Sequence, residues 1–344
     1  LGETVNRDRL FRNYWYRSST QPAMVKDLQK AVEWGLQWVT LEKGDWVLSI
    51  GCNDGTELDF FPDDVVKVGI DPASNLADAA IPHCRFFIND YFPPQTLLGK
   101  GVSKVITSFA CFYDVEDLGA FCDGIYQWLH DDGVWIAQMS YLPDTLATRN
   151  VGDFCHEHTS FFTLDVLNRL LNAHHLHIIQ YTLNAVNGGS VRIAVQKGDG
   201  VPFGGPDAVT RLHLMDFKQQ VDIIGEDLRA QLLKYRRSGV KVLGLGASTK
   251  FNGVVSMLDI GPDLLPAVCD RNPEKWGRTM VTGIPIISED EARAIVPDVF
   301  VLGIPQFLDA IREREAEFVA RGGRFLTVFP EVREKRFMQR GLAV

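Results

Sequence analysis

No CxxC pair occurs anywhere in the 344 residues. The six cysteines, Cys52, Cys84, Cys111, Cys122, Cys155 and Cys269, stand singly, a pattern that supports neither a structural zinc site nor a disulfide framework. A reducing cytoplasm is the expected compartment. Long apolar runs are missing too: none approaches the roughly 20 residues that a bilayer crossing needs, so no membrane-spanning helix is expected. The opening LGETVNRDRLFRNYW lacks the apolar core of a signal peptide, and Leu rather than Met at position 1 suggests a trimmed chain. Positive charge is in deficit: 35 Lys and Arg face 44 Asp and Glu, a formal charge of -9. That balance excludes an unassisted grip on a phosphate backbone, so no nucleic-acid partner is expected. The length suffices for two domains, each with its own core.

Apolar positions recur at helical spacing from Met24 to about Leu41 and predict an amphipathic helix feeding the strand Trp46 to Gly51. Short β-rich runs then alternate with helical stretches: VVKVGID ending at Asp71, RFFIND around Phe87, KVITSFA from Lys104 and GVWIAQM from Gly133. Such alternation indicates parallel crossovers and a doubly wound sheet. HHLHIIQYTLN and SVRIAVQKG, joined through Asn187-Gly188-Gly189, predict an antiparallel pair at the sheet edge. Glycines and prolines bunch from Gly198 to Pro206 and mark a linker. A long helical pattern, Asp207 to about Gly239, then leads into KVLGLGAS and the strand candidates PAVCD, GIPII, DVFVLG and GRFLTVFP. The expected fold class is α/β with two Rossmann-like doubly wound domains, at 24–200 and 207–344, preceded by a segment at 1–23.

Two glycine loops follow strands. The first reads Gly51-Cys52-Asn53-Asp54-Gly55, with Asp71 at the tip of the next strand. Glycine there lets a cofactor approach the backbone, the following helix start offers free N–H groups, and a carboxylate at the strand tip can accept ribose hydroxyls. A nicotinamide site prefers GxGxxG. An acid inside the loop would repel a pyrophosphate, whereas the cationic sulfonium of S-adenosylmethionine tolerates it. The run resembles motif I of the class I S-adenosylmethionine methyltransferases. That resemblance makes Asp71 the ribose acid and places Asn89, Asp90 and Tyr91 on the adenine side; Ser108, opening the string SFACFYDVEDL, is counted with the cofactor residues.

His156-Glu157-His158 follows the strand GVWIAQM, on the side where open α/β sheets bind substrates. In an extended segment the two histidines would share one face and Glu157 the other. The pair suits either a general base oriented by a carboxylate or a metal site, but the third and fourth ligands are not evident, so no metal is expected. Histidines that merely satisfy loop carbonyls are the plain alternative.

Taken together, NYWYRSSTQPAM, VLSIGCNDGTELDFF, GIDPA, SFACFYDVEDL, FCHEHTSFF, NGGSVR and GLGASTKFN, in this order, look like the S-adenosylmethionine-dependent C-methyltransferases of nucleotide-linked keto-deoxysugars. The resemblance covers essentially the whole chain. It implies a class I methyltransferase fold in the first domain, S-adenosylmethionine as cofactor and a nucleotide-diphosphate sugar as substrate. The zinc-binding N-terminal domain usual in that family is missing from this sequence, either removed or never present. His158 matches the proposed general base, with Glu157 beside it, and Tyr14 or Tyr16 belongs to a segment that reaches the active site. Cys155 stands where many members have Tyr, and Asp114 near where some have His. An enolate route needs His158 to remove a proton α to a ketone, Glu157 to orient it, and Tyr113 or His156 to stabilise the enolate oxygen.

The second loop, GLGASTKFN, suits a phosphate. Ser248, Lys250 and Asn252, with Asn187 and Arg192 of NGGSVR, are the expected substrate-binding residues, and Arg17 is a further source of positive charge. Three other readings compete: an O- or N-methyltransferase, an NAD(P)-dependent sugar-nucleotide oxidoreductase using the second loop with Asp270 as ribose acid, and a noncatalytic scaffold. Oligomeric state is not legible.

Overall fold

The computed structural model describes residues 5–95, 101–200, 209–303 and 308–336. The chain forms two compact units, one of residues 1–142 and 156–208, the other of 143–155 and 209–344.

The first unit carries seven strands, β1 (Trp46–Ile50), β2 (Val66–Ile70), β3 (Phe86–Ile88), β4 (Ser103–Phe109), β5 (Leu129–Ser140), β6 (Leu176–Asn184) and β7 (Ser190–Lys197), in the sheet order β3-β2-β1-β4-β5-β7-β6. β1 to β5 run parallel, and β7 runs antiparallel to both β5 and β6. β1 is apolar and buried along nearly its whole length because helices and loops cover both faces of a parallel sheet. The helix Pro22–Gly35 starts on proline, whose missing N–H costs nothing at a helix start. It buries Leu28, Ala31, Val32 and Gly35, one stripe of helical spacing. A Cβ on Gly35 would stand 1.8 Å from Ile136 Cδ1, so glycine lets the helix lie directly on β5. The turn before β7 fulfils its expectation: Asn187, Gly188 and Gly189 take φ of 55, 96 and 131°.

The strand order reverses between β1 and β4, and the site described below sits at the C-terminal tips of these strands, where doubly wound sheets bind ligands. Phe112, just past β4, is fully buried against Phe121, Trp135 and Phe162, with centroids 5.1, 5.3 and 5.4 Å away. That aromatic packing fixes the loops on either side of the site.

The second unit carries β8 (Val242–Leu245), β9 (Val268–Asp270), β10 (Ile286–Ser288), β11 (Val299–Leu302), β12 (Arg324–Thr327) and β13 (Arg333–Lys335), in the order β10-β9-β8-β11-β12-β13. All are parallel except β13, an antiparallel edge strand that the sequence pattern did not suggest. The long helix Arg211–Arg237 buries Val221, Ile224, Gly225, Leu228, Leu232 and Tyr235. The division differs from the contiguous one expected. Residues 143–155 pack in the second unit, where Val151 joins the core and Gly152 lies against Lys250, 2.9 Å from its Cβ to an ideal glycine Cβ. Residues 201–206 of the expected linker and Asp207 fall outside the described residues. Among the described residues no helix is long and apolar enough to cross a membrane.

Candidate active site

Gly51 and Gly55 bracket the loop after β1 with φ of 69 and 81°, a region that side chains strain to enter. The Gly51 and Cys52 amides both donate to Ile70 O, at 2.8 and 3.2 Å, pinning the loop to the end of β2. A Cβ on Gly51 would meet Cys111 Cβ at 3.1 Å, so the glycine keeps the cradle between the β1 and β4 tips open. Asp71 is buried, and its two carboxylate oxygens accept from Asn53 N and Ala73 N, each at 2.8 Å. Each oxygen retains a lone pair for a ribose hydroxyl. Burial raises the Asp71 carboxyl above its ordinary value, and the two amides pull it back. Asn89 donates to Asp71 O at 2.9 Å, and Asp90 Oδ1 accepts from Tyr91 N at 2.8 Å. Glycine cradle, strand-tip acid and acidic surroundings fit a cationic sulfonium nucleoside: Asp71 would hold its ribose and Asp54 would balance its charge.

An N-terminal arm closes over these tips. Ser18 N donates to Asn53 Oδ1 at 3.0 Å and Ser19 N to Asp54 Oδ2 at 2.9 Å, while Asn53 Nδ2 donates to Tyr16 O at 3.1 Å. Tyr14 exchanges two 2.9 Å bonds with Asn75. Arg7 and Arg12 lie over the Tyr91 ring at 4.3 and 4.8 Å, and Arg12 also reaches Asp90 Oδ1 at 3.4 Å. No periodicity in the sequence signals this arm. Only its resemblance to the family placed Tyr14 and Tyr16 near the site.

The arm ends on the second half of the site. The Tyr14 hydroxyl donates to Glu157 Oε2 at 3.1 Å, and burial together with the Glu157 charge pushes its pKa well above the ordinary value. His158 is buried, its ring 4.2 Å from that of Tyr113. Tyr113 O accepts from Thr159 N and Ser160 N at 2.9 and 3.0 Å, which locks the loop after β4 to the segment carrying His158. Asp114 follows Tyr113; its Oδ1 is buried with no hydrogen-bond partner among the described residues. Tyr14, Tyr113, Asp114, Glu157 and His158 thus form one cluster beside the cofactor cradle.

Several expected residues sit elsewhere. Residues 154–157 run as bends rather than as a strand, so His156 is exposed while His158 is buried, and the two do not share a face. Ser108 is fully buried and accepts from Trp135 Nε1 at 2.9 Å, facing the core instead of the cradle. Cys52 is likewise buried. Arg192 is buried and bound to Gln138 Oε1 at 2.9 Å and Asp27 Oδ1 at 3.2 Å, so its charge is already matched. Asn187 serves the turn before β7.

In the second unit, Lys250 Nζ lies 2.6 Å from Asp153 Oδ1, and Asp153 is fully buried with Thr145 Oγ1 at 2.7 Å. Ser248 caps the helix Thr249–Met257, and Asn252 Oδ1 accepts from Val281 N at 3.0 Å. These three are structural where a phosphate grip was expected. Asp270 is also committed: Lys275 Nζ binds its Oδ2 at 3.1 Å and Ala247 O at 2.9 Å, across the ground a dinucleotide ribose would occupy. Among the described residues no three His, Cys, Asp or Glu side chains gather as a metal set.

The strand order of the first unit, its glycine cradle and its strand-tip acid define a class I S-adenosylmethionine-dependent methyltransferase. Residues 16–181 match the family described as a methyltransferase domain, and residues 185–330 match the C-methyltransferase C-terminal domain. Between them the two matches span most of the chain, the methyltransferase domain first and the C-methyltransferase C-terminal domain after it. It is 27% identical over 352 residues to the C-methyltransferase NovU of Streptomyces niveus, spanning 97% of this chain and 84% of that protein. Solved structures similar to it include an S-adenosylmethionine-dependent methyltransferase from Clostridium acetobutylicum, at 13% identity and a TM-score of 0.42 over 51% of this chain and 92% of that one. Another is the 1,6-didemethyltoxoflavin-N1-methyltransferase of Burkholderia thailandensis with bound S-adenosylhomocysteine, at 16% identity and a TM-score of 0.41 over 53% and 81%.

Proposed function

We propose that this methyltransferase transfers the methyl group to a carbon α to the ketone of a nucleotide-linked keto-deoxysugar, with His158 as general base. The observation that carries the reading is the cluster of a buried His158 on Tyr113 and a Glu157 held by the Tyr14 hydroxyl at 3.1 Å, beside the cofactor cradle. The similarity to NovU adds support for carbon as the acceptor.

S-adenosylmethionine, when bound, supplies an electrophilic methyl group on a sulfonium. Gly51, Gly55 and Asp71 would hold that nucleoside, and the acidic cradle would balance its charge. His158 takes the α proton, leaving a carbon nucleophile, while Glu157, fixed by Tyr14, orients the imidazole or the sugar. The arm from Arg12 to Thr20 keeps water from the cradle. Positioning and a shielded pocket supply most of the rate.

The test is incubation with a panel of TDP- and GDP-linked keto-deoxysugars, with NMR of the product, using the natural chain and its His158→Ala and Glu157→Gln variants. A new carbon-bound methyl with the natural chain, and a loss of at least about 100-fold in His158→Ala, is expected. A methyl on oxygen or nitrogen, or full turnover by both variants with S-adenosylmethionine binding intact, sinks the reading.

A further inference from the structure

The catalytic cluster holds one group that the mechanism above leaves idle. Asp114 ends the single turn Phe112–Asp114 that follows β4, with its amide donating to Cys111 O at 3.1 Å. Its Oδ1 is shut off from solvent and meets no hydrogen-bond partner among the described residues. An ionised carboxylate oxygen in that position would be costly, because burying an uncompensated charge is among the largest penalties in a folded chain. Among the described residues, the titratable groups that interact with its charge are Glu157 from the segment after β5, Tyr14 from the N-terminal arm, and Cys111 on its own loop, none of them cationic. His158 packs on the neighbouring Tyr113. Burial raises the Asp114 carboxyl well above its ordinary value, and the Glu157 charge raises it further.

We propose that Asp114 is a neutral carboxylic acid in the resting enzyme and that its Oδ2, the oxygen of this half-buried side chain that is not shut off, is the donor to the substrate's carbonyl oxygen as the enolate forms. The unpartnered oxygen, the neighbouring carboxylate of Glu157 and the position one residue from Tyr113 argue for this together. The inference rests on the ketosugar reading above and assigns the oxyanion role that Tyr113 or His156 was expected to fill. His156 is exposed.

The proton balance closes. His158 accepts the α proton as the C–H bond breaks, and the electron pair moves to the carbonyl oxygen, where the Asp114 O–H donates. With S-adenosylmethionine bound, the α carbon would bond to the methyl as the methyl's bond to sulfur breaks, the electron pair staying on sulfur and S-adenosylhomocysteine leaving; the carbonyl re-forms and the proton stays with Asp114. His158 releases its proton to solvent, so one proton leaves for each methyl transferred.

Two measurements test it. The first is the infrared carboxyl region of the whole chain at neutral pH against Asp114→Asn; a protonated-carboxyl band lost in the variant is expected, and an unchanged spectrum overturns the proposal whatever the substrate. The second is exchange of the α proton into deuterated water, read by NMR on TDP- and GDP-linked keto-deoxysugars with S-adenosylhomocysteine present. Loss of a preorganised oxyanion donor predicts about 100- to 1,000-fold slower exchange in Asp114→Leu, and a smaller loss in Asp114→Asn, whose amide still donates. Undiminished exchange in both variants overturns the donor role. A band without exchange on any sugar by the natural chain overturns the ketosugar reading and the donor role together, leaving only the neutral acid.

Discussion

Glu57→Gln isolates a buried carboxyl beneath the cofactor loop. Glu57 lies in the short helical turn Thr56–Phe60, is 5% exposed, and is hydrogen-bonded to the Thr107 hydroxyl of β4. Burial lifts its pKa from 4.5 to about 7, against the pull of that hydrogen bond. Local geometry agrees: Thr107 Oγ1 also lies 3.4 Å from Leu48 O, which only accepts, so a protonated Glu57 can donate while the threonine proton serves the carbonyl. Because the folded pKa is raised, Glu57 contributes stability fully below pH 4.5 and loses it as pH rises through about 7. Over that span the unfolded chain releases a proton that the folded chain keeps. At 1.36 kcal/mol per unit, the loss is about 3 kcal/mol. Glutamine cannot ionise, so the stability of Glu57→Gln relative to the natural chain should rise by about 3 kcal/mol between pH 4 and pH 8. Urea unfolding followed by tryptophan fluorescence reads this in the correct unit, since of the seven tryptophans only Trp276 lies in the second. With a slope of about 2–3 kcal/mol per molar, the midpoint difference should change by about 1 M. Two midpoints that move in parallel across this range would refute a neutral Glu57.

Three further substitutions bear on the site and its supports. Tyr14→Phe removes a charge-assisted bond of about 1.5–3 kcal/mol to Glu157 and should lower kcat about 10- to 100-fold while leaving S-adenosylmethionine affinity within about twofold, measured by calorimetry. Lys250→Ala strands the buried Asp153 and should destabilise the second unit by about 3–5 kcal/mol, with the KM for the sugar nucleotide unchanged; a raised KM at unchanged stability would restore the phosphate role. Phe112→Ala empties the aromatic packing that seats the loop carrying Tyr113 and Asp114 and should cost about 3–5 kcal/mol in thermal unfolding of the first unit, with activity falling further than stability alone explains.

The parallel strands were legible as short apolar, β-branched runs, several of them ended by a glycine or an acid, as in WVLSIG and VVKVGID. β13 was not, because REK has no apolar face; its place comes from pairing with β12, which only the tertiary fold supplies. Residues 143–155 mislead for a similar reason. They follow β5 without a break in composition, and their membership of the second unit depends on Val151 and on the Asp153–Lys250 pair, which joins residues 97 positions apart.

Sequence motifs name residue types near a site, but a charge has a function only once its partner is known. Lys250, in a glycine loop, and Arg192, in NGGSVR, both read as cations awaiting a phosphate. Each instead faces a buried or nearly buried carboxylate, at 2.6 and 3.2 Å. Asp114 shows the converse. In sequence it is one acid among 44 Asp and Glu, and nothing in FYDV distinguishes it from a solvated residue. Its meaning arises because Phe112 is drawn into the aromatic core, which turns the next two residues toward Glu157 and leaves one carboxyl oxygen buried without a donor. Neutralisation answers that burial without any new partner, and a neutral acid is a donor where an ionised one would repel the enolate. The same packing that shuts one oxygen of the half-buried Asp114 off from water therefore fits it to the chemistry expected of the site.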